Sequence, residues 1–254
     1  MERLDNARPS GIHPNGLKTW GMIFAMAGVL GRGVLQNRLL GVGSVSALEL
    51  VQLMQASDGA MLMATVALIL QAMETCAVPI FAFLLLEGFH HTSDWKKYFL
   101  RLAGTALLSE IPYNLATSQQ VFDLTTRNPM FGLVLGFAMM LLFRFFTGKK
   151  LICVIVAIAG ILWASMLKVE HGFAMILIIS TLWLFWKKPS VRGFMGMGAA
   201  VLCSASSIFY LASPMGFLAV HMYNGEEGES NRLVSYLFYP AALLLIGLLT
   251  IVLL

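Results

Sequence analysis

The chain has 254 residues, of which 58% are hydrophobic and 12% charged, with a formal net charge of +4 and a mean hydropathy of +0.79. A soluble domain is about half apolar and about a quarter charged, so this composition excludes an ordinary water-facing surface and points to a chain that buries its outside in lipid. The Lys and Arg residues fall in short clusters between apolar runs rather than along one polar face, which argues against nucleic acid as a partner and suits a membrane surface.

The first sixteen residues, MERLDNARPSGIHPNG, are polar and lack the apolar core of a secretory signal. They are expected to form a polar cytoplasmic tail ahead of a single transmembrane domain, 17–254. A helix needs about 20 apolar residues to cross the hydrocarbon layer. By that measure an all-α polytopic bundle with eight spans is expected, at 17–35, 60–88, 96–115, 129–146, 151–167, 171–187, 193–222 and 233–254. The second and seventh are too long for one straight crossing, and each holds a proline, Pro79 or Pro214, expected to break the helix or mark a re-entrant piece. The loop 36–59 between the first two spans contains the amphipathic SALELVQLMQ. GLVLG at 132–136 and GFMGMG at 193–198 place small residues at helical spacing, which favours close helix packing. Cys76, Cys153 and Cys203 lie inside apolar runs without paired spacing, so neither a metal site nor a disulfide framework is expected.

Basic residues near span ends favour the cytoplasm, and here they mark every second loop. The clusters are Arg3, Arg8 and Lys18; then Lys96, Lys97 and Arg101; then Arg144, Lys149 and Lys150; then Lys187, Lys188 and Arg192. Both termini are therefore expected in the cytoplasm. The loops holding Glu49 and Asp58, Asp123 and Arg127, Lys168 and Glu170, and the acidic NGEEGESNR are expected to face outward.

Ionisable groups at membrane depth are costly and mark functional candidates. Arg32, Gln71, Glu74, Glu87, Glu110 and His221 are each flanked by long apolar sequence. Glu87 closes the second span and His90 and His91 follow it, with Glu87 and His91 sharing a helical face if the helix continues. Two readings stay open there: an interface anchor beside Lys96, Lys97 and Arg101, or a general base oriented by a carboxylate. His171, next to Glu170, is either a solvated loop residue or a second candidate base. In LLSEIPYNL, Glu110 and Pro112 are expected to close the third span. Arg127 and Asn128, just before Pro129, either anchor and cap the fourth helix or line a polar mouth on the outer side.

Several blocks together carry a resemblance: EGFHHTSDWKKYFLRL with LLSEIPYNL, then RNPMFGLVLG, then MYNGEEG and LFYPAALLLIG. In order and spacing, over about residues 17–250, they resemble the TraX family, multi-pass proteins named for N-terminal acetylation of conjugative pilin and similar to the wider membrane acyltransferases. The resemblance implies a bacterial inner-membrane acetyltransferase that takes acetyl from cytoplasmic acetyl-CoA, without a metal. The acceptor is an amine or hydroxyl of a peptide or glycan at or across the membrane. Positions that match the family blocks are Glu87, His91, Thr92, Tyr98, Arg101, Glu110, Pro112, Arg127, Asn128, Tyr223, Asn224, Gly225, Tyr239 and Pro240. On this reading His91 with Glu87, or His171, is catalytic. Arg101, Glu110, Arg127, Asn128, Tyr223, Asn224 and Tyr239 bind substrate, and the phosphates of CoA meet Lys149, Lys150, Lys187, Lys188 and Arg192, with Arg144. Two departures narrow the choice of histidine: the first span reads MAGVLGRG where many relatives carry an Asp-His pair, and Ala242 stands where many carry a late His. His91, His171 and His221 remain. The alternatives are a small-solute transporter, which would show paired broken helices, and a non-catalytic assembly protein.

Overall fold

A computed structural model describes residues 11–41, 51, 52, 55, 57–224 and 232–253. Arg3, Arg8, Glu49, Gly225, most of SALELVQLMQ and the glutamates of NGEEGESNR lie outside the described residues. The chain is all-helical, as expected, and among the described residues only two isolated strand-like pairings occur, Ile12 with Tyr223 and Arg127 with Val169.

Helix α1, Pro14–Val29, begins on a proline whose missing N–H falls where no helical partner exists anyway. It continues as a wide, π-type helix over Leu30–Leu39. Against it, antiparallel, lie α2, Asp58–Glu74, and α3, Ala77–His91. The register is fixed where Gly21 meets Ile80 and Phe81, and Gly31 meets Ala67 and Leu70. The Ser57 hydroxyl caps α2 by accepting from the Ala60 amide at 3.1 Å. The break expected at Pro79 falls at Thr75 and Cys76 instead. A proline removes the bond to the carbonyl four residues upstream and crowds it, so the helix yields at position 75 while Pro79 sits in the first turn of α3. The Thr75 hydroxyl and the Cys76 thiol then donate to Phe209 O at 3.1 Å and Ala212 O at 3.2 Å.

Helix α4, Trp95–Ser118, runs straight through Pro112 and ends at Gln119 in the left-handed conformation. The expected stop at Glu110 and Pro112 is thus corrected. Next come α5, Met130–Phe145; α6, Lys150–Met166; and α7, Gly172–Leu184. The core gathers around α7, where Ile176, Ile179 and Leu182 meet Leu86, Phe137 and Met140. The small-residue stripes serve close packing, since a Cβ on Gly136 would lie 2.3 Å from Ile179 and one on Gly196 2.5 Å from Phe217.

The expected seventh span is a hairpin. Helix α8, Pro189–Leu202, gives way to short 3-10 turns at Cys203–Ala205 and Ile208–Leu211, and α9, Pro214–His221, returns beside α3. The Ile12 amide donates to Met222 O at 2.8 Å and the Asn224 amide to Ile12 O at 3.2 Å. Residues 222–224 therefore share an end of the bundle with the start of α1 and with Glu87. Helix α10, Arg232–Leu253, begins at that end, where Arg101 lies over the Tyr236 ring at 5.9 Å, and runs alongside α4 to the far end, where Gly247 meets Leu115. The expectation that both termini face the cytoplasm and NGEEGESNR faces outward is not shown; among the described residues Ile12 and Asn224 lie at one end of the bundle and Gly247 at the other.

Eight full-length spans are not shown. Among the described residues one helical stretch, Asp58–His91 with 34 residues and interrupted at Thr75 and Cys76, is long and apolar enough to cross a bilayer. Met130–Phe145, Lys150–Met166, Gly172–Leu184, Ile208–His221 and Tyr236–Val252 are shorter apolar helices. Apolar side chains nonetheless face outward in rows, Leu151, Ile155, Ile158 and Leu162 on α6 among them.

Candidate active centre

The wide helix after α1 turns Arg32 inward, towards the point where α2 ends. Arg32 Nη2 lies 3.0 Å from Glu74 Oε2 and Nη1 lies 2.5 Å from Glu170 Oε2. Tyr113 of α4 closes the group: Arg32 Nη1 donates to its hydroxyl at 3.3 Å, and that hydroxyl donates to Glu170 Oε2 at 2.5 Å. Glu74 is only 4% exposed. Its seat exists because position 28 is glycine, where an added Cβ would lie 2.0 Å from Glu74 Oε2.

His171 completes the cluster. Its Nδ1 is 2.6 Å from the Tyr210 hydroxyl and its Nε2 is 3.3 Å from Glu74 Oε1. The second contact is within ion-pair range but too bent for a well-formed hydrogen bond, so buried Nε2 retains unused donor capacity. The residue sits just ahead of α7 with φ of 56°, a left-handed conformation uncommon outside glycine and often found at functional sites. What holds it there is the neighbouring turn: the Arg127 amide donates to Lys168 O and the Glu170 amide to Arg127 O, both at 2.9 Å. Burial opposes ionisation of Glu170, but the Arg32 guanidinium beside it outweighs that and holds its carboxyl below the ordinary range.

His171 separates two spaces. On the far end of the bundle an open cleft of about 350 Å3 is lined by Thr126, Ser165, Lys168, Glu170, Ser206 and Tyr210, with His171 in its wall. Towards the other end a narrow apolar slot of about 50 Å3 runs from Glu74 and His171 past Met22, Phe81 and Leu133, with buried Tyr239 beside it. The arrangement places one imidazole, with a carboxylate on one nitrogen and a phenol on the other, between a polar cleft and an apolar slot. Among the described residues no His, Cys, Asp and Glu set is placed to hold a metal.

The other sequence-predicted residues form two separate groups. Glu110, Arg127 and Asn128 saturate one another: Arg127 Nη1 meets Glu110 Oε1 at 2.9 Å, and Asn128 Nδ2 meets Glu110 Oε2 at 2.7 Å and Ala106 O at 2.9 Å. Asn128 Oδ1 accepts from the Met130 amide at 2.9 Å and so caps α5. The three residues sit behind the His171 turn, to which Arg127 is tied by its backbone.

The second group occupies the basic end, about 20 Å away along α7 at 1.5 Å per residue. His91 is exposed at the end of α3, and Glu87 accepts a hydrogen bond from Tyr223 while meeting His91, Arg192 and Lys18 only as nearby charges. Arg192 lies over Trp186 at 4.4 Å, and His90 stacks on Trp186 at 4.5 Å. Arg144 lies over Trp95 at 3.8 Å and Arg101 Nε donates to Lys97 O at 3.2 Å. Lys149, Lys150, Lys187 and Lys188 are exposed, and Asn224 is held by its backbone to Ile12. Sequence reading found Arg32, Glu74 and His171 singly, by their charge in apolar surroundings. It missed Tyr113 and Tyr210, whose hydroxyls carry no such signal.

A family model described as TraX protein matches residues 60–250 of the chain. No curated protein and no solved structure matches it.

Proposed function

Since the chain belongs to the TraX family, we propose that it is a multi-pass membrane acetyltransferase whose base is His171, moving acetyl from acetyl-CoA to an amine or hydroxyl acceptor. The observation that carries this reading is the buried imidazole, hydrogen-bonded to Tyr210 at Nδ1 and with the Glu74 carboxylate within 3.3 Å of Nε2, beside an open cleft. Rows of outward apolar side chains, which would be an aggregation liability in water, support the lipid setting.

The chemistry follows from the two contacts. Glu74 beside Nε2 favours the tautomer with its proton there, which leaves a lone pair on Nδ1 for the Tyr210 hydroxyl. An acceptor N–H or O–H in the cleft passes its proton through Tyr210 to Nδ1 while the acceptor atom attacks the thioester carbonyl. The new acceptor–carbon bond forms, the carbon–sulfur bond breaks, and the imidazolium returns the proton to the departing thiolate. Arg32 sits between the two carboxylates and pairs with both. CoA phosphates meet the basic end through Lys149, Lys150, Lys187, Lys188 and Arg192, and the acetyl arm follows the apolar slot, whose flexible methionines Met22, Met130 and Met175 give way.

A small-solute transporter is the second reading, favoured by one observation: the break at Thr75 and Cys76 is tied directly to the broken hairpin at Phe209 and Ala212, and paired broken helices are a transporter feature. Purified protein with acetyl-CoA and a panel of amines and hydroxyl compounds separates the two. Free CoA thiol together with an acetylated acceptor is expected from the wild type and is lost in Glu74→Gln. Uptake of a solute into proteoliposomes with no CoA release by any acceptor contradicts the acetyltransferase reading.

A further inference from the structure

We infer that Arg32 is the positioning residue of this centre: its guanidinium fixes the Glu74 carboxylate so that one oxygen is left for His171, and this selects the imidazole tautomer whose Nδ1 faces Tyr210 and the cleft. The inference takes only its turnover readout from the acetyltransferase reading.

The oxygens are divided. Glu74 Oε2 goes to Arg32 at 3.0 Å and Oε1 to His171 Nε2 at 3.3 Å. Without the guanidinium the carboxylate is free to rotate about its last bond, because among the described residues Arg32 is the group that meets Oε2. The same guanidinium reaches Glu170 and Tyr113 with Nη1, so its position is set from three elements at once: the end of α2, the turn before α7, and α4. A planar fork can serve two carboxylates in one geometry, whereas an ammonium is a point charge. The local helix fits the same purpose, because a π-type winding is rare and often marks a functional position, and here it carries Arg32 across to α2 over the space left by Gly28.

The competing account is that Arg32 only neutralises two buried carboxylates, since removing one partner of a buried ion pair is strongly destabilising. The charged and titratable groups around the centre are Glu74, Glu170, Tyr113, Tyr210, Tyr239, Lys168 and His171 itself. A paired replacement separates the accounts. Arg32→Gln combined with Glu170→Gln removes one charge of each sign and leaves the centre with its original charge balance. If Arg32 positions Glu74, the double variant still loses turnover, on the order of 10–100-fold in kcat with KM for acetyl-CoA unchanged. If it only neutralises, the double variant works like the wild type.

The second readout does not need activity. In protein labelled with 15N-histidine, the His171 ring signals are assigned by their absence in His171→Gln, and the neutral ring reports its tautomer directly. The wild type is expected to hold the proton on Nε2, and the double variant is expected to populate both tautomers. Should the double variant fail to fold, Arg32→Lys keeps the charge without the fork, and the same two losses are expected of it. Retention of the Nε2 tautomer in both variants overturns the inference. A wild type that shows the tautomer preference but releases no CoA overturns the acetyltransferase reading and leaves the role of Arg32 standing.

Discussion

Two groups of charged side chains lie at different depths of the bundle, and they are built differently. Around His171 the charges of Arg32, Glu74 and Glu170 are largely enclosed and answer one another: Arg32 bridges the two carboxylates, Tyr113 and Tyr210 supply hydroxyls, and Glu74 is 4% exposed. Around His91 the charges stand at the rim, with Lys149, Lys150, Lys187 and Lys188 in solvent and the arginines lying on aromatic rings. The sequence stretch EGFHHTSDWKK draws the eye because its charges are adjacent in the chain, but adjacency at a helix end is what an interface anchor needs. An enclosed centre needs charges from distant segments, which no local pattern announces.

If that contrast is right, filling space at the interior centre has the largest effect. Gly28→Val pushes a side chain into the Glu74 carboxylate. It should cost about 1–3 kcal/mol of stability from overpacking and most of the turnover, read by thermal melting in detergent and by CoA release. Gly193→Ala, inside α8 and meeting nothing within 4 Å, should keep turnover and raise stability by up to about 1 kcal/mol.

At the rim a smaller, salt-sensitive effect is expected. Alanine at Lys149 with Lys150, or at Lys187 with Lys188, should raise KM for acetyl-CoA several-fold with kcat kept, because exposed ionic contacts contribute roughly 0.2–1 kcal/mol each and are screened. The difference should shrink as ionic strength rises. Equal KM for wild type and both pairs at low salt removes these lysines from the donor site.

Smallest of all is Asp94, the cap of α4. The Lys97 amide donates to it at 3.0 Å and the Lys97 side chain lies beside it, and both pull its carboxyl below the ordinary range. A depressed value in the folded state means that the stabilisation is fully present above the unfolded value and is lost as pH falls through the folded one. The melting difference between wild type and Asp94→Ala should therefore be small at neutral pH and close in strong acid.

Much of the helix order was legible from apolar runs, because lipid-facing and core-facing residues alike are hydrophobic and only the charged loops interrupt them. The reversal inside the expected seventh span was not. The hairpin from Pro189 to His221 reads as one long apolar segment, since Ser204, Ser206 and Ser207 are too weakly polar to mark a turn. The break before α3 was placed at Pro79 because the proline is visible, whereas the strain it creates falls at the carbonyl four residues earlier. For the centre, Arg32 and Glu74 were legible as charges out of place, and His171 only as a rival to His91. Their convergence depends on the antiparallel register of α1 with α2 and on the Arg127 pairing that holds the turn at Glu170, both of which are tertiary.

Turnover of His171→Ala beside His91→Ala tests the central claim most directly, with both proteins purified in detergent and compared at equal folded concentration. A general base contributes about 10²–10⁴-fold, so His171→Ala should lose acetyl transfer by that factor while His91→Ala stays within a few-fold of wild type. Loss of transfer in His91→Ala with full activity in His171→Ala would contradict the account and put the reacting centre at the basic end.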